Sequence, residues 1–201
     1  MAGAGSLIHN GSIVLASRSP RRKQLLEQAG ICFVVHESRV DEDSFLWSAP
    51  AEYTKTLAMA KAVDVAGIFQ DSWVIGADTI VVLDNEPLGK PKSADEAREM
   101  LARLSGNVHR VYTGFAVVCM ADGHHHADSV VTEVCFKHLS AREIEWYVHT
   151  DEPYDKAGAY AIQGLGTFMV SRVNGSYTNV VGMPVCEVVS HLLANRVLDF
   201  P

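Results

Sequence analysis

Residues 12–30 read SIVLASRSPRRKQLLEQAG, and this stretch predicts a strand, a tight polar turn and a helix in immediate succession. The run Ser12 to Leu15 suits a buried strand. Ser19 suits the N-cap, Pro20 the first helical position and Gly30 the left-handed cap that closes the helix. Arg21 and Arg22 then stand in the first turn, where free N–H groups already make the helix end positive. The helix dipole disfavours each cation there by ~0.3–1 kcal/mol. An anion bound by those N–H groups, with the arginines as clamps, is the simplest compensation. The turn Ala16–Ser19 is therefore a candidate phosphate site. On this reading, removing either arginine leaves the ligand-free fold no less stable.

Working outward, ICFVVHES (31–38) reads as a second strand, and 51–69 has helical periodicity through Leu57, Ala60 and Val63. WVIGADTIVVLD (73–84) reads as a long apolar strand, with a turn starting at Asp84-Asn85. Ser93 to Glu96 and Ser140 to Glu143 have the spacing of capping boxes, each opening a helix. The β runs 109–120 and 128–137 flank a turn from Ala121 to His126 and predict a hairpin. An irregular glycine-rich stretch, 151–166, precedes a strand at 167–173, and a last helix is expected over 185–196. Strands and helices interleave without strict alternation. The expected fold is α/β: a mixed central sheet with flanking helices and two lobes around a cleft, formed by one domain over 11–201. Residues 1–10 are expected to form a mobile tail.

Among 201 residues, 48% are hydrophobic, yet no apolar stretch approaches the ~20 residues of a membrane helix. The N-terminus lacks the basic and apolar regions of a secretory signal, so a cytoplasmic protein is expected. Cys32, Cys119, Cys135 and Cys186 form no CxxC pair and read as reduced core cysteines rather than a zinc site. The net charge of −7 argues against nucleic acid or a membrane surface as the main partner. An acidic chain that binds polyphosphate must gather its cations locally, and Arg21, Arg22, Lys61 and Lys90 are the candidates.

Asp78 interrupts a run that should be buried on both faces. An unpaired carboxylate there costs several kcal/mol, so it requires a metal, a cation or a dense hydrogen-bond shell. Taken alone, Glu42 and Lys61 read as solvated, and Lys90 between Gly89 and Pro91 reads as a surface turn whose glycine permits close approach. There is no P-loop and no GxGxxG. His124 to His126 cannot all face one ion and read as a solvated hairpin tip.

The motifs LASRSPRR, LLEQAG, GADT (76–79), GKP (89–91), HRVYTG (109–114) and DKAGAYAIQG (155–164) together resemble, in order and spacing, the Maf family of nucleoside triphosphate pyrophosphatases. AYAIQG resembles the branch that acts on dTTP and UTP. The resemblance implies a Maf/ITPase-like fold, a homodimer, and hydrolysis of a nucleoside triphosphate to the monophosphate and pyrophosphate. It implies Asp78 and Lys90 as catalytic residues, Asp78 being the proton acceptor. It also implies Ser17, Arg21, Arg22, Lys61, Thr79 and Gln163 as substrate contacts. Glu42 and Asp78 would hold a divalent cation, Mg²⁺ or Mn²⁺, with Asp41 or Asp43 as substitutes for Glu42. Asp78 cannot easily be both ligand and base, and the family favours base. His109 and Thr113 match the pattern as a strand-face pair beside the site. A nucleotide-binding regulator of cell division without turnover is the competing reading, because the family was first linked to septum formation.

Overall fold

A computed structural model describes residues 7–201. In chain order the strands are β1 (Ile8–His9), β2 (Ile13–Leu15), β3 (Val34–Val35), β4 (Trp73–Leu83), β5 (Glu86–Leu88), β6 (Val108–Cys119), β7 (His124–Phe136), β8 (Val170–Asn174) and β9 (Leu198–Asp199). The helices are α1 (Pro20–Gln28), α2 (Pro50–Ala66), α3 (Ala94–Leu104), α4 (Ala141–Val148), α5 (Tyr177–Val181) and α6 (Val185–Ala194). A seven-stranded sheet runs β3-β2-β4-β6-β7-β8, with β5 paired to β4. Parallel pairs β2–β3 and β2–β4 coexist with antiparallel β4–β5 and β7–β8, so the sheet is mixed, as expected. No helix among the described residues is long and apolar enough to cross a membrane. Of the expected N-terminal tail, residues 1–6 lie outside the described residues, and Ile8–His9 pair antiparallel with Leu198–Asp199.

The chain divides into two compact units. The first contains the residues up to Asp78, Thr113–Ser129 and Gly182–Pro201; the second contains Thr79–Tyr112 and Val130–Val181. In the first unit, α2 packs on the sheet through Ala58, Ala62, Val65 and Ala66 against Val14, Val74, Ala116 and Val118. Two glycines allow the close approach. A Cβ at Gly76 would lie 2.2 Å from the carbonyl oxygen of Ala58, and one at Gly114 would lie 2.3 Å from that of Thr54. The small side chains of α2 are therefore matched by missing ones on β4 and β6.

The second unit has its own core, in which Leu101 and Leu104 of α3, Tyr147 and Val148 of α4, and Val81, Val134 and Phe136 of the strands pack together. Local signals place its helices. Ser140 Oγ accepts the Glu143 N–H while the Glu143 carboxylate accepts the Ser140 N–H, completing the expected capping box. At α3 only half of the box forms: Ser93 Oγ accepts the Glu96 N–H at 3.2 Å, but Glu96 reaches the N–H of Lys92 instead. Asp84 and Asn85 take φ of 51° and 66°, the left-handed pair that a tight β4–β5 turn requires.

The histidine run departs from the sequence reading. β7 begins at His124, and the turn ends at Gly123, so the three histidines belong to the strand rather than to a solvated tip. The alternation of the strand puts His124 and His126 on one face, both half-buried. His124 Nε2 is 2.8 Å from His191 Nε2, and the ring of His126 stacks on that of His191 at 4.0 Å. The cysteines are free, with Cys119 and Cys135 buried; Cys32 and Cys186 are exposed rather than in the core.

Two outcomes follow from this packing. Gly76→Ala is expected to lower the unfolding free energy by ~1–3 kcal/mol, since the added methyl meets backbone that cannot give way. Denaturant unfolding checks it, and an unchanged midpoint would mean that α2 tolerates being pushed off the sheet. Burial lowers His109 to about 4; burial, followed by the neighbouring His126 and His124, lowers His191 to about 4. An unfolded histidine titrates near ~6.5, so acidification protonates the unfolded chain first. Their contribution to stability is complete above that value and is lost as the pH falls towards about 4. Unfolding free energy should drop between about pH 6.5 and about pH 4, and the drop should shrink in His191→Gln.

Candidate active site

The centre of the first unit's polar chemistry is Asp78. It is 6% exposed, on a strand whose flanking residues are apolar, and it meets the cation its burial demands. Lys61 Nζ donates to Asp78 Oδ1 at 2.7 Å. Lys61 is itself 8% exposed, which corrects its reading as a solvated helix residue. The same ammonium lies 2.7 Å from Glu42 Oε1, whose side chain is half exposed. Two carboxylates thus converge on one lysine held by α2. Glu42, not its neighbours, makes this contact: Asp41 Oδ1 instead accepts the Asp43 N–H at 3.2 Å and caps the short turn Glu42–Ser44.

The strand–turn–helix of residues 12–30 forms as its sequence predicts. Ser19 Oγ accepts the Arg22 N–H, Pro20 opens α1, and Gly30 takes φ 74° after the helix. Ser17 Oγ accepts the Ser19 N–H and an Arg22 guanidinium N–H, each at 3.2 Å. Arg22 Nε donates to the Gly182 carbonyl at 2.8 Å. Desolvation by burial holds the Arg22 guanidinium below its ordinary pKa and Arg21 adds to this, while Asp78 and Glu42 oppose it. Those same carboxylates reach Tyr53, whose phenol is raised by burial first and then by Asp78, Glu42 and Asp43. Ser17, Arg21, Arg22, Glu42, Lys61 and Asp78 are therefore gathered in one unit. Tyr53 and the Gly182 carbonyl belong with them and were not anticipated. Tyr53 lies about two turns before Lys61 on α2, a spacing that could have signalled it.

Thr79, Lys90 and Gln163 belong to the second unit. Thr79 is the half-buried residue that follows Asp78 on β4, and Lys90 is exposed after β5. A Cβ at Gly89 would meet no atom within 4 Å, so no protein neighbour requires a glycine there. Its carbonyl accepts the Gly158 N–H at 3.0 Å, which ties the 89–91 turn to the glycine-rich stretch. Gln163 is half-buried in that stretch. His109, expected as one of a strand-face pair, is buried and bonds through Nε2 to the Tyr160 hydroxyl at 2.7 Å. Among the described residues no group of three or more His, Cys, Asp or Glu is arranged to hold a metal ion.

A family profile described as Maf-like protein matches residues 12–195. A relative from Geobacter metallireducens is 51% identical over 183 residues, covering 91% of this chain and 95% of that protein. Another, from Geotalea uraniireducens, is 50% identical, covering 90% and 93%. A third, from Syntrophus aciditrophicus, is 47% identical, covering 90% and 88%. Each of the three is named dTTP/UTP pyrophosphatase.

The two Arg22 contacts reverse the expectation drawn from the helix dipole alone. Two bonds from a guanidinium outweigh a dipole penalty of ~0.3–1 kcal/mol. Arg22→Ala is therefore expected to cost about 1–2 kcal/mol in the absence of any ligand. Thermal melts of the ligand-free protein decide it: a melting temperature equal to or above wild type would restore the dipole reading.

Proposed function

This chain belongs to the Maf family, and from that premise we propose that it hydrolyses nucleoside triphosphates, dTTP and UTP foremost, to the monophosphate and pyrophosphate. The observation that carries this reading is the buried Asp78–Lys61 pair, joined by the half-exposed Glu42, beside Arg22 at the N-terminus of α1. It supplies a carboxylate, an ammonium and helix N–H groups of the kind that a triphosphate and an attacking water require.

In this mechanism Ser17, Arg21, Arg22 and Lys61 hold the phosphate chain, with Thr79 and Gln163 as further substrate contacts. Asp78 orients a water and takes its proton as the water oxygen bonds to the α-phosphorus. The bond from the α-phosphorus to the bridging oxygen breaks, and pyrophosphate leaves with the electron pair. Lys90 balances charge on the phosphates. The residues fit a divalent cation, because Glu42 Oε1 and Asp78 Oδ1 already converge 2.7 Å from one positive charge. Their hard oxygen donors suit Mg²⁺ or Mn²⁺. Such an ion would be held chiefly by Glu42, which leaves Asp78 free to act as the base, and it would neutralise charge on the phosphates. The proposal includes residues 11–201 acting as one catalytic domain, in the cytoplasm and as a homodimer.

A regulator that binds nucleotide without turnover is not favoured, since relatives matched over most of their length carry an enzyme's name. Pyrophosphate release from dTTP, UTP, CTP and GTP tests the reading directly. The expected order is dTTP and UTP above CTP, with GTP poor. Nucleotide binding without pyrophosphate release would overturn the enzymatic assignment. Asp78→Asn keeps the shape and removes the negative charge, and should lower kcat by ~10²–10⁴ while binding survives. Retention of most of the turnover would remove Asp78 from the chemistry.

A further inference from the structure

The side-chain amide of Gln163 makes no hydrogen bond among the described residues, so a fixed donor–acceptor order there has to come from the main chain around it. One carboxylate holds that main chain. Glu152 Oε2 accepts the Leu165 N–H at 2.8 Å, and Oε1 accepts the Gly166 N–H at 2.9 Å and the Tyr147 hydroxyl at 2.8 Å. The Tyr147 oxygen in turn accepts the Ala161 N–H at 3.2 Å. The tethered amides stand on both sides of Gln163. Tyr147 is fully buried on α4, so close packing surrounds the ring that carries this hydroxyl.

The loop closes so tightly on this pair that side chains are excluded. A Cβ at Gly164, where φ is 94°, would lie 2.3 Å from Glu152 Oε2. One at Gly166 would lie 2.5 Å from the Ala161 carbonyl oxygen and 2.8 Å from the Tyr147 oxygen. A freely turning amide can present donor and acceptor in either order, and so suits uracil and cytosine equally. Main-chain N–H and C=O groups cannot exchange roles. Selection between those bases therefore depends on holding residues 161–166 still.

We propose that Glu152, directly and through Tyr147, is a positioning residue for base selection, holding the Ala161–Gly166 main chain so that its N–H and C=O groups beside Gln163 present one fixed donor–acceptor order to the pyrimidine. This rests on the assignment of Gln163 as a base contact in a dTTP/UTP pyrophosphatase. The experiment compares UTP and CTP in wild type, Glu152→Gln and Tyr147→Phe, with thermal melts of each. The UTP-to-CTP ratio of kcat/KM should fall about tenfold in both variants, mainly through KM for UTP, while kcat at saturating UTP changes little. Tyr147→Phe keeps the buried ring and loses only the hydroxyl, so it carries the test should Glu152→Gln fail to fold. Folded variants that keep the wild-type ratio, or lose activity on both nucleotides by one factor, would overturn the positioning role. A wild type with no preference for UTP over CTP would instead remove the base-contact assignment, and the proposal with it.

Discussion

A carboxylate on a strand that is apolar on either side is stable only if positive charge is held beside it, and the first unit is arranged around that requirement. Asp78 receives a hydrogen bond from Lys61, which is almost equally buried and has come from α2 to meet it. Breaking such a pair leaves a buried charge without compensation, a loss of ~3–5 kcal/mol, whereas forming it yields little net stability. The pair therefore adds little to net folding energy. Glu42 draws on the same ammonium from a half-exposed position, so negative charge extends from the interior towards solvent.

Lys61 can reach Asp78 because the helix that carries it lies unusually close to the sheet. Ala58 and Ala62 present almost no side chain, and Gly76 presents none, so the backbones of α2 and β4 come within a distance that any Cβ would forbid. A larger residue at Gly76 would displace the lysine from the carboxylate two residues further along the same strand. The glycine in GADT therefore serves the aspartate in GADT.

The second unit solves a different problem, that of holding a stretch with no strand or α-helix of its own. Residues 151–166 would otherwise leave main-chain groups unpaired, at ~1–3 kcal/mol each when buried. Glu152 and Tyr147 accept from three of these N–H groups, and His109 bonds the Tyr160 hydroxyl from a buried strand position. The hydrogen bonds of Glu152 outweigh its partial burial and hold its carboxyl below the usual range, so it stays an ionised acceptor. This order in a glycine-rich loop comes from side chains outside its centre.

Features whose cause lies within a few residues were legible in the sequence. The Ser19 cap, Pro20, the left-handed Gly30, the Ser140–Glu143 box, the Asp84-Asn85 turn and the long strand around Asp78 all follow from local backbone and hydrogen-bond chemistry. The demand of Asp78 for a partner was legible too, because an apolar strand makes its own burial evident. What the chain could not reveal alone was which partner answers. Lys61 looks solvated on a helix, and Arg22 looks strained by its dipole, until folding brings Asp78 to one and the Gly182 carbonyl to the other. The histidine run likewise looks like a loop tip until His191 of a distant helix stacks against it. Local periodicity and capping are decided by neighbours along the chain. The partner of a polar group is decided by which segments meet in space, and only the tertiary structure holds that information.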